Sequence, residues 1–287
     1  MEIDLTAADP EVGEALRYLA TGADHRFAEL ATMHYAVVPT GSTGSTAGST
    51  GSTAGPSAVG WRVDEEGDRL EIVADPEGVL DLVYRRVHQR AFELASLRGW
   101  VRLHAAVVDL DRGPAAPPAR VLLVAPSGTG KTTLSCRLLL DGQATVADES
   151  TLVRDGVALP VARRFHLKPG LEAVVPDLAR HTGSLPGLAD ATVRAFDPTE
   201  AGFAWSIAEA RVDHVVLVER AVGGSALVPA SAVEAMPALV DQSFPHQEPT
   251  GHLLGQVAAL LREARCWHLA LDSLDEASIL VRELANE

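Results

Sequence analysis

The chain has 287 residues, room for one large domain or two small ones at about 150 residues each. Hydrophobic residues make up 47% and charged residues 22%, an ordinary balance for a chain that buries a core. Lys+Arg number 24 against 39 Asp+Glu, so the net charge is −15, which argues against nucleic acid as a partner.

No run of about 18 apolar residues is present, which excludes a membrane span. Met1 to Pro10 lacks a basic and apolar leader pattern, and Cys136 and Cys266 form neither a disulfide framework nor a metal-ligand spacing. The expected compartment is the cytoplasm. The chain holds two lysines, Lys131 and Lys168, and one asparagine, Asn286.

In chain order, Glu11 to Tyr18 reads as a short helix and Tyr35 to Val38 as a strand. Residues 41–47 read GSTGSTA and residues 48–54 repeat them. The whole stretch 41–57 reads as a disordered insert with nothing to pack. Ala58 to Val63 and Arg69 to Val73 read as strands joined by a charged turn. From Pro76 to Leu97, Leu80, Val83, Val87, Ala91 and Ala95 recur at helical spacing. Residues 1–98 are thus expected to form a small N-terminal α+β lobe, and 99–287 a second domain.

In that second domain Val101 to Leu110 and Arg120 to Ala125 are strand-like, and Thr132 to Leu140 is helical. Ala144 to Ala147 is a strand, and Asp155-Gly156 marks a hairpin. Val212 to Glu219 and Cys266 to Leu271 are further strands. Helices are expected near 232–243, 252–264 and 274–285. Ser231 with Glu234, and Ser273 with Glu276, match the capping box. The sum is an α/β fold, a strand-rich sheet core with flanking helices.

Ala125-Pro-Ser-Gly-Thr-Gly-Lys-Thr132 stands between a strand and a helix, the context of a P-loop. Gly128 and Gly130 permit backbone that aims N–H groups at phosphate oxygens. Ser127, Thr129 and Thr133 complete the expected nucleotide cradle. Lys131 would reach the β- and γ-phosphates, and Thr132 would ligate Mg²⁺. Ala125 stands where the strict pattern has Gly. The single asparagine, next to last in the chain, excludes a guanine-reading Asn-Lys-x-Asp.

Metal binding and nucleophile activation need carboxylates, and Asp148-Glu149 follow the strand Ala144 to Ala147. In a parallel sheet that strand's carboxyl end lies beside the P-loop. Adjacent acids on an extended chain point to opposite sides, so one could face the metal and the other the attacking hydroxyl. Glu219 is the alternative acid; its companion Asp213 begins that strand and points to the wrong end. His104, in an apolar run, reads from spacing alone as a core histidine.

The order LHAAVV (103–108), VLLVAPSGTGKTTL (121–134) and VADE (146–149) resembles the C-terminal domain of HPr kinase/phosphorylase. It resembles even more the smaller HPr-kinase-related proteins. The resemblance implies an HPr-kinase-like P-loop core using ATP and Mg²⁺, with catalytic roles for His104, Lys131, Asp148 and Glu149. It implies Thr132 and Asp148 as metal ligands and Glu149 at the position of the family's general base, the second acid of an Asp-Asp pair; with Glu in that place, either Glu149 or Asp148 takes the hydroxyl proton. The family's signature loop Glu-[Ile/Val]-Arg-Gly-x-Gly is not found; that region reads Arg163-Arg164-Phe165-His166-Leu167-Lys168. This argues against HPr as substrate and against phosphorylase activity. Lys168 is placed, as a hypothesis, near phosphate or substrate.

Related kinases occur in modified-peptide biosynthesis, and many assemble as homo-oligomers. The leading expectation is therefore an ATP-dependent kinase acting on a hydroxyl, serine of a peptide or small protein. The alternatives are a nucleotide-binding regulatory module without transferase activity and a small-molecule hydroxyl kinase.

Overall fold

The computed structural model describes residues 2–7, 24–25, 32–39, 61–73, 75–161, 163–181, 183–184, 194–203, 205–244 and 249–287. The expected helix Glu11 to Tyr18 and the repeat at 41–57 lie outside the described residues. The chain divides into two compact units, each made of the described residues in its ranges. One takes Met1–Ala20, Phe27–Ala91 and Ser184–Val193; the other takes Thr21–Arg26, Phe92–Gly183 and Arg194–Glu287.

The first unit is a four-stranded sheet. Strands β1 (Glu2–Ala7) and β2 (Thr32–Pro39) pair in parallel, and β3 (Trp61–Glu65) and β4 (Asp68–Val73) follow as an antiparallel hairpin. Glu66 and Gly67 make the turn, both with positive φ. Helix α1 (Pro76–Leu97), whose residues up to Ala91 belong to this unit, has the bounds its periodicity predicts. Val79, Val83 and Val87 bury one face, and Arg86 donates to Glu65 Oε2 at 2.5 Å.

The second unit is built on a mixed sheet. Its strands are β5 (Val101–Leu110), β6 (Ala119–Val124), β7 (Ala144–Ala147), β8 (Ser150–Arg154), β9 (Val157–Pro160), β10 (Phe165–Leu167) and β11 (Arg194–Phe196). After them come β12 (Ala210–Arg211), β13 (His214–Arg220), β14 (Ala226–Ala230) and β15 (Arg265–Leu271). The main sheet runs β12-β9-β8-β5-β6-β13-β15-β14, with β7 also on β5. Strands β10 and β11 pair apart from it, antiparallel.

Among the described residues of the main sheet, only β6, β13 and β15 form a parallel block. The parallel neighbourhood expected for β7 is not formed. β7 pairs with β5 antiparallel, and β5 is itself antiparallel to β6. Two reversals restore direction, so β6 and β7 still end at the same edge of the sheet. Burial on both faces makes an apolar run fit parallel or antiparallel pairing equally well, so the pattern alone did not separate them.

Helix α2 (Lys131–Leu140) and helix α5 (Leu274–Glu283) cover one face of this sheet. Leu134, Leu138, Ala277 and Val281 pack there with Val121, Leu123, Val216 and Leu269. Alternate residues such as Leu122 and Val215 turn to the other face and are also fully buried. Helices α3 (Ala232–Asp241) and α4 (Thr250–Glu263) complete the unit. The capping box forms in full at Ser231. At Ser273 it forms by half. The Ser273 hydroxyl accepts from Glu276 N, but the Glu276 carboxylate accepts from Ser225 N instead. Ser225 Oγ takes the Ser273 N–H, so the reciprocal bond has no donor left.

Candidate functional site

Strand β6 is buried along its whole length and delivers the chain to Ala125 at the sheet edge. From there the backbone loops through Gly128 (φ 85) and Gly130 (φ 115) into α2. Gly130 is the N-cap of α2 and provides no side-chain cap, so the first N–H groups of the helix lack a side-chain acceptor from the cap. Ser127 is exposed, whereas Gly130, Thr129, Thr132 and Thr133 are half-buried. Lys131 opens the helix and is 5% exposed. Its ammonium donates to the carbonyls of Ala125 at 2.5 Å and Pro126 at 3.4 Å. Burial holds that ammonium below its ordinary lysine range, against the opposing pull of Glu149 and Asp148.

The acids come from the end of β7. Thr145 Oγ1 ties β7 to α2 by donating to Ser135 O at 2.7 Å, and Trp205 Nε1 donates to Val146 O at 2.9 Å. The chain bends at Asp148 and Glu149 before β8 begins at Ser150. The expected divergence of the two acids therefore does not occur, because the backbone there is not extended. Both carboxylates converge on one guanidinium. Arg163 Nη2 lies 3.3 Å from Asp148 Oδ1 and also donates to Glu149 Oε2.

The two acids differ in environment. Asp148 is buried, and burial pushes its carboxyl up to about 6 in spite of Arg163 and the His166 N–H that it accepts at 3.3 Å. The Glu149 side chain is 41% exposed. Burial works to raise it, but Arg163, His104 and His166 outweigh burial and hold it below the usual carboxylate range. So Glu149 loses its proton first as pH rises, and Asp148 follows near about 6.

His104 lies on β5, half-buried, with Nε2 3.6 Å from Glu149 Oε1. Burial lowers its proton affinity, and Lys131, Arg163 and Arg102 lower it further against Glu149. At neutral pH it is a neutral imidazole beside an ionised carboxylate. Arg102, two residues earlier, is stacked between Phe92 and Phe244 at 3.7 and 3.8 Å and donates to Ser150 Oγ at 3.1 Å.

Lys168 follows β10. Its ammonium donates to Ser127 Oγ at 3.1 Å, so both lysines of the chain meet at one loop. The fold thus gathers His104, Lys131, Asp148, Glu149 and Lys168 around the Ala125–Thr132 loop. Among the described residues, Glu219 does not join them through any hydrogen bond or ion pair; it is exposed near the end of β13. Asp213 is held at the opposite end by the N–H of Arg120 at 2.8 Å.

Arg163 and His166 are the site residues sequence reasoning missed. A signal existed in the basic run Arg163-Arg164-Phe165-His166-Leu167-Lys168. Alternation there buries Phe165 and Leu167 and leaves His166 half-buried between them. Among the described residues, no cluster of three or more His, Cys, Asp and Glu is set to hold a metal ion alone.

No family model matches the sequence, and no curated protein matches it. Among solved structures, the chain is similar to an HPr(Ser) kinase/phosphatase from Coxiella burnetii. The match has a TM-score of 0.36 and 10% identity, over 64% of this chain and 88% of that one. Overlap this loose bears on no individual residue. No helix among the described residues is long and apolar enough to cross a membrane.

Proposed function

We propose that the chain is an ATP-dependent kinase that transfers the γ-phosphate to a hydroxyl, serine of a peptide or small protein. One observation carries this reading. A glycine loop at a helix N-terminus holds a buried lysine whose ammonium is bonded to the loop's own carbonyls, and two carboxylates stand at the same sheet edge. That loop is read as a P-loop, with Ser127 to Thr133 as the nucleotide cradle.

The donor set fits ATP and Mg²⁺. Gly128 and Gly130 leave the loop backbone open to phosphate, and Mg²⁺ binds through one or two carboxylates plus phosphate oxygens rather than in an all-protein cage. Thr132 and Asp148 are the residues that would hold the metal. ATP supplies the phosphoryl group and Mg²⁺ neutralises the charge on its oxygens.

Lys131 has the charge to bind the β- and γ-phosphates, exchanging its carbonyl partners for phosphate oxygens. Glu149, ionised and partly exposed, is the group suited to accept the hydroxyl proton. His104 flanks Glu149 and orients it as a neutral partner. The free, buried cysteines Cys136 and Cys266 support a reducing compartment, the cytoplasm.

The test is transfer of labelled phosphate from ATP with Mg²⁺ to hydroxyl-bearing peptides. Lys131→Ala should abolish it; transfer that survives this change defeats the mechanism. A second reading has its own observation. Arg163 occupies both acids at once, as it could in a regulatory module that binds nucleotide without transferring phosphate. ATP binding with no turnover against peptide or small-molecule hydroxyls would favour that reading.

A further inference from the structure

We infer that Lys168 is a second phosphate-binding cation, one that holds the terminal phosphate of a nucleoside triphosphate together with Lys131. The inference rests on the nucleotide reading above and deepens it.

Placement comes first. Lys168 Nζ donates to the hydroxyl of Ser127, on the early part of the loop, four residues before Lys131. Two residues before Lys168, the His166 N–H donates to Asp148 Oδ2. One short segment therefore touches the loop with one residue and the acid pair with another. A phosphoryl group passing from the loop to a hydroxyl at the acids has to lie in that interval. The α-phosphate, by contrast, belongs beside the helix N-terminus.

Rigidity comes next. Phe165 and Leu167 are 0% and 3% exposed, and Phe165 packs edge-on against Phe196 and Trp205 at 5.9 and 5.7 Å. Strand β10 is thus fixed in the core, and Lys168 is its first residue beyond. Gly170 then turns the chain with φ 88, and the Leu171 N–H closes on Lys168 O at 3.3 Å. The backbone that carries the ammonium is held on both sides.

Charge gives the third reason. Among the described residues, neither lysine pairs with a carboxylate within 4.0 Å; each ammonium donates only to loop oxygens. A phosphate set between them gains a charge-assisted hydrogen bond from each. The chain uses arginine at its other basic positions, so two compact ammonium groups at one loop suit single phosphate oxygens rather than a planar carboxylate.

The experiment is titration of the full chain with ATP and with ADP, in Mg²⁺ and without any acceptor, for the wild type, Lys168→Ala and Lys131→Ala. Lys168 is exposed, so its removal should leave the thermal melting curve unchanged. The wild type should bind ATP more tightly than ADP. Lys168→Ala should weaken ATP by about tenfold or more, and ADP by less than about threefold. Equal loss for both nucleotides, or no loss for either, overturns the inference. If Lys131→Ala weakens nucleotide binding while Lys168→Ala does not, only the Lys168 inference fails. If the wild type binds neither nucleotide, the nucleotide reading fails and this inference with it.

Discussion

The two loop glycines separate backbone strain from crowding in one short segment. Both have positive φ, 85 at Gly128 and 115 at Gly130, so alanine at either carries a left-handed penalty of about 1–2 kcal/mol. Their surroundings differ. A Cβ on Gly128 meets nothing within 4 Å. A Cβ on Gly130 comes within 3.1 Å of Leu271 Cδ2 and 3.4 Å of Arg220 Nη2. The arginine end can swing away into solvent. Leu271 is 1% exposed and sits in the core beside Ala277 and Val281, so it has no room to retreat. Crowding of that kind costs about 1–3 kcal/mol. Gly130→Ala should therefore lose roughly 2–5 kcal/mol of stability, and Gly128→Ala only about 1–2 kcal/mol. Urea unfolding followed by tryptophan fluorescence reads the second unit through Trp100, Trp205 and Trp267. Equal midpoints for the two variants would refute the reasoning, since the Leu271 contact exists at Gly130 alone.

Other outcomes follow from the acids and their cation. The folded carboxyl of Asp148 lies near about 6, above its unfolded value of 3.8, so its contribution is most favourable below 3.8 and is lost as pH rises through about 6. Asp148→Asn, measured without metal, should gain stability relative to the wild type between pH 4 and pH 7, by up to about 3 kcal/mol. A pH-independent difference would show that Asp148 does not titrate there. Arg163→Ala removes the main charge that keeps Glu149 low, so the acid limb of phosphate transfer should move to higher pH; an unmoved limb would mean that Glu149 is not the base. Lys131→Ala should cut phosphate transfer to background in a labelled-ATP assay, with the melting temperature read in parallel to exclude unfolding.

Local patterns located the elements and left their neighbours open. The helix Pro76–Leu97 and the strands Val101–Leu110 and Ala144–Ala147 have the bounds that periodicity and apolar runs set. Such patterns report which face is buried and where the chain turns. They do not report pairing direction, which is why β7 was expected beside a parallel neighbour. Capping follows the same logic. Ser231 needs only its own Glu234, whereas at Ser273 a serine 48 residues away takes the bond that the local rule assigned to Glu276.

The site was legible where its chemistry is contiguous and hidden where it is assembled. Residues 125–132 carry their meaning in spacing, because a phosphate loop is a single turn of backbone ahead of one helix. The acid pair was legible as chemistry but not as geometry. Extended backbone would have parted Asp148 from Glu149, yet the bend between β7 and β8 turns both toward Arg163. Arg163 itself reads in sequence as one more charge in a basic run. What selects it is the alternation that follows. Phe165 and Leu167 must face the core, which fixes β10 and sets Arg163 two residues before it and Lys168 directly after it. An arginine at the acids and a lysine at the loop are thus consequences of burying two apolar side chains between them. Shifting that register by one residue would bury His166 and turn Phe165 and Leu167 outward, so the packing of β10 and the charge pattern of the site stand or fall together.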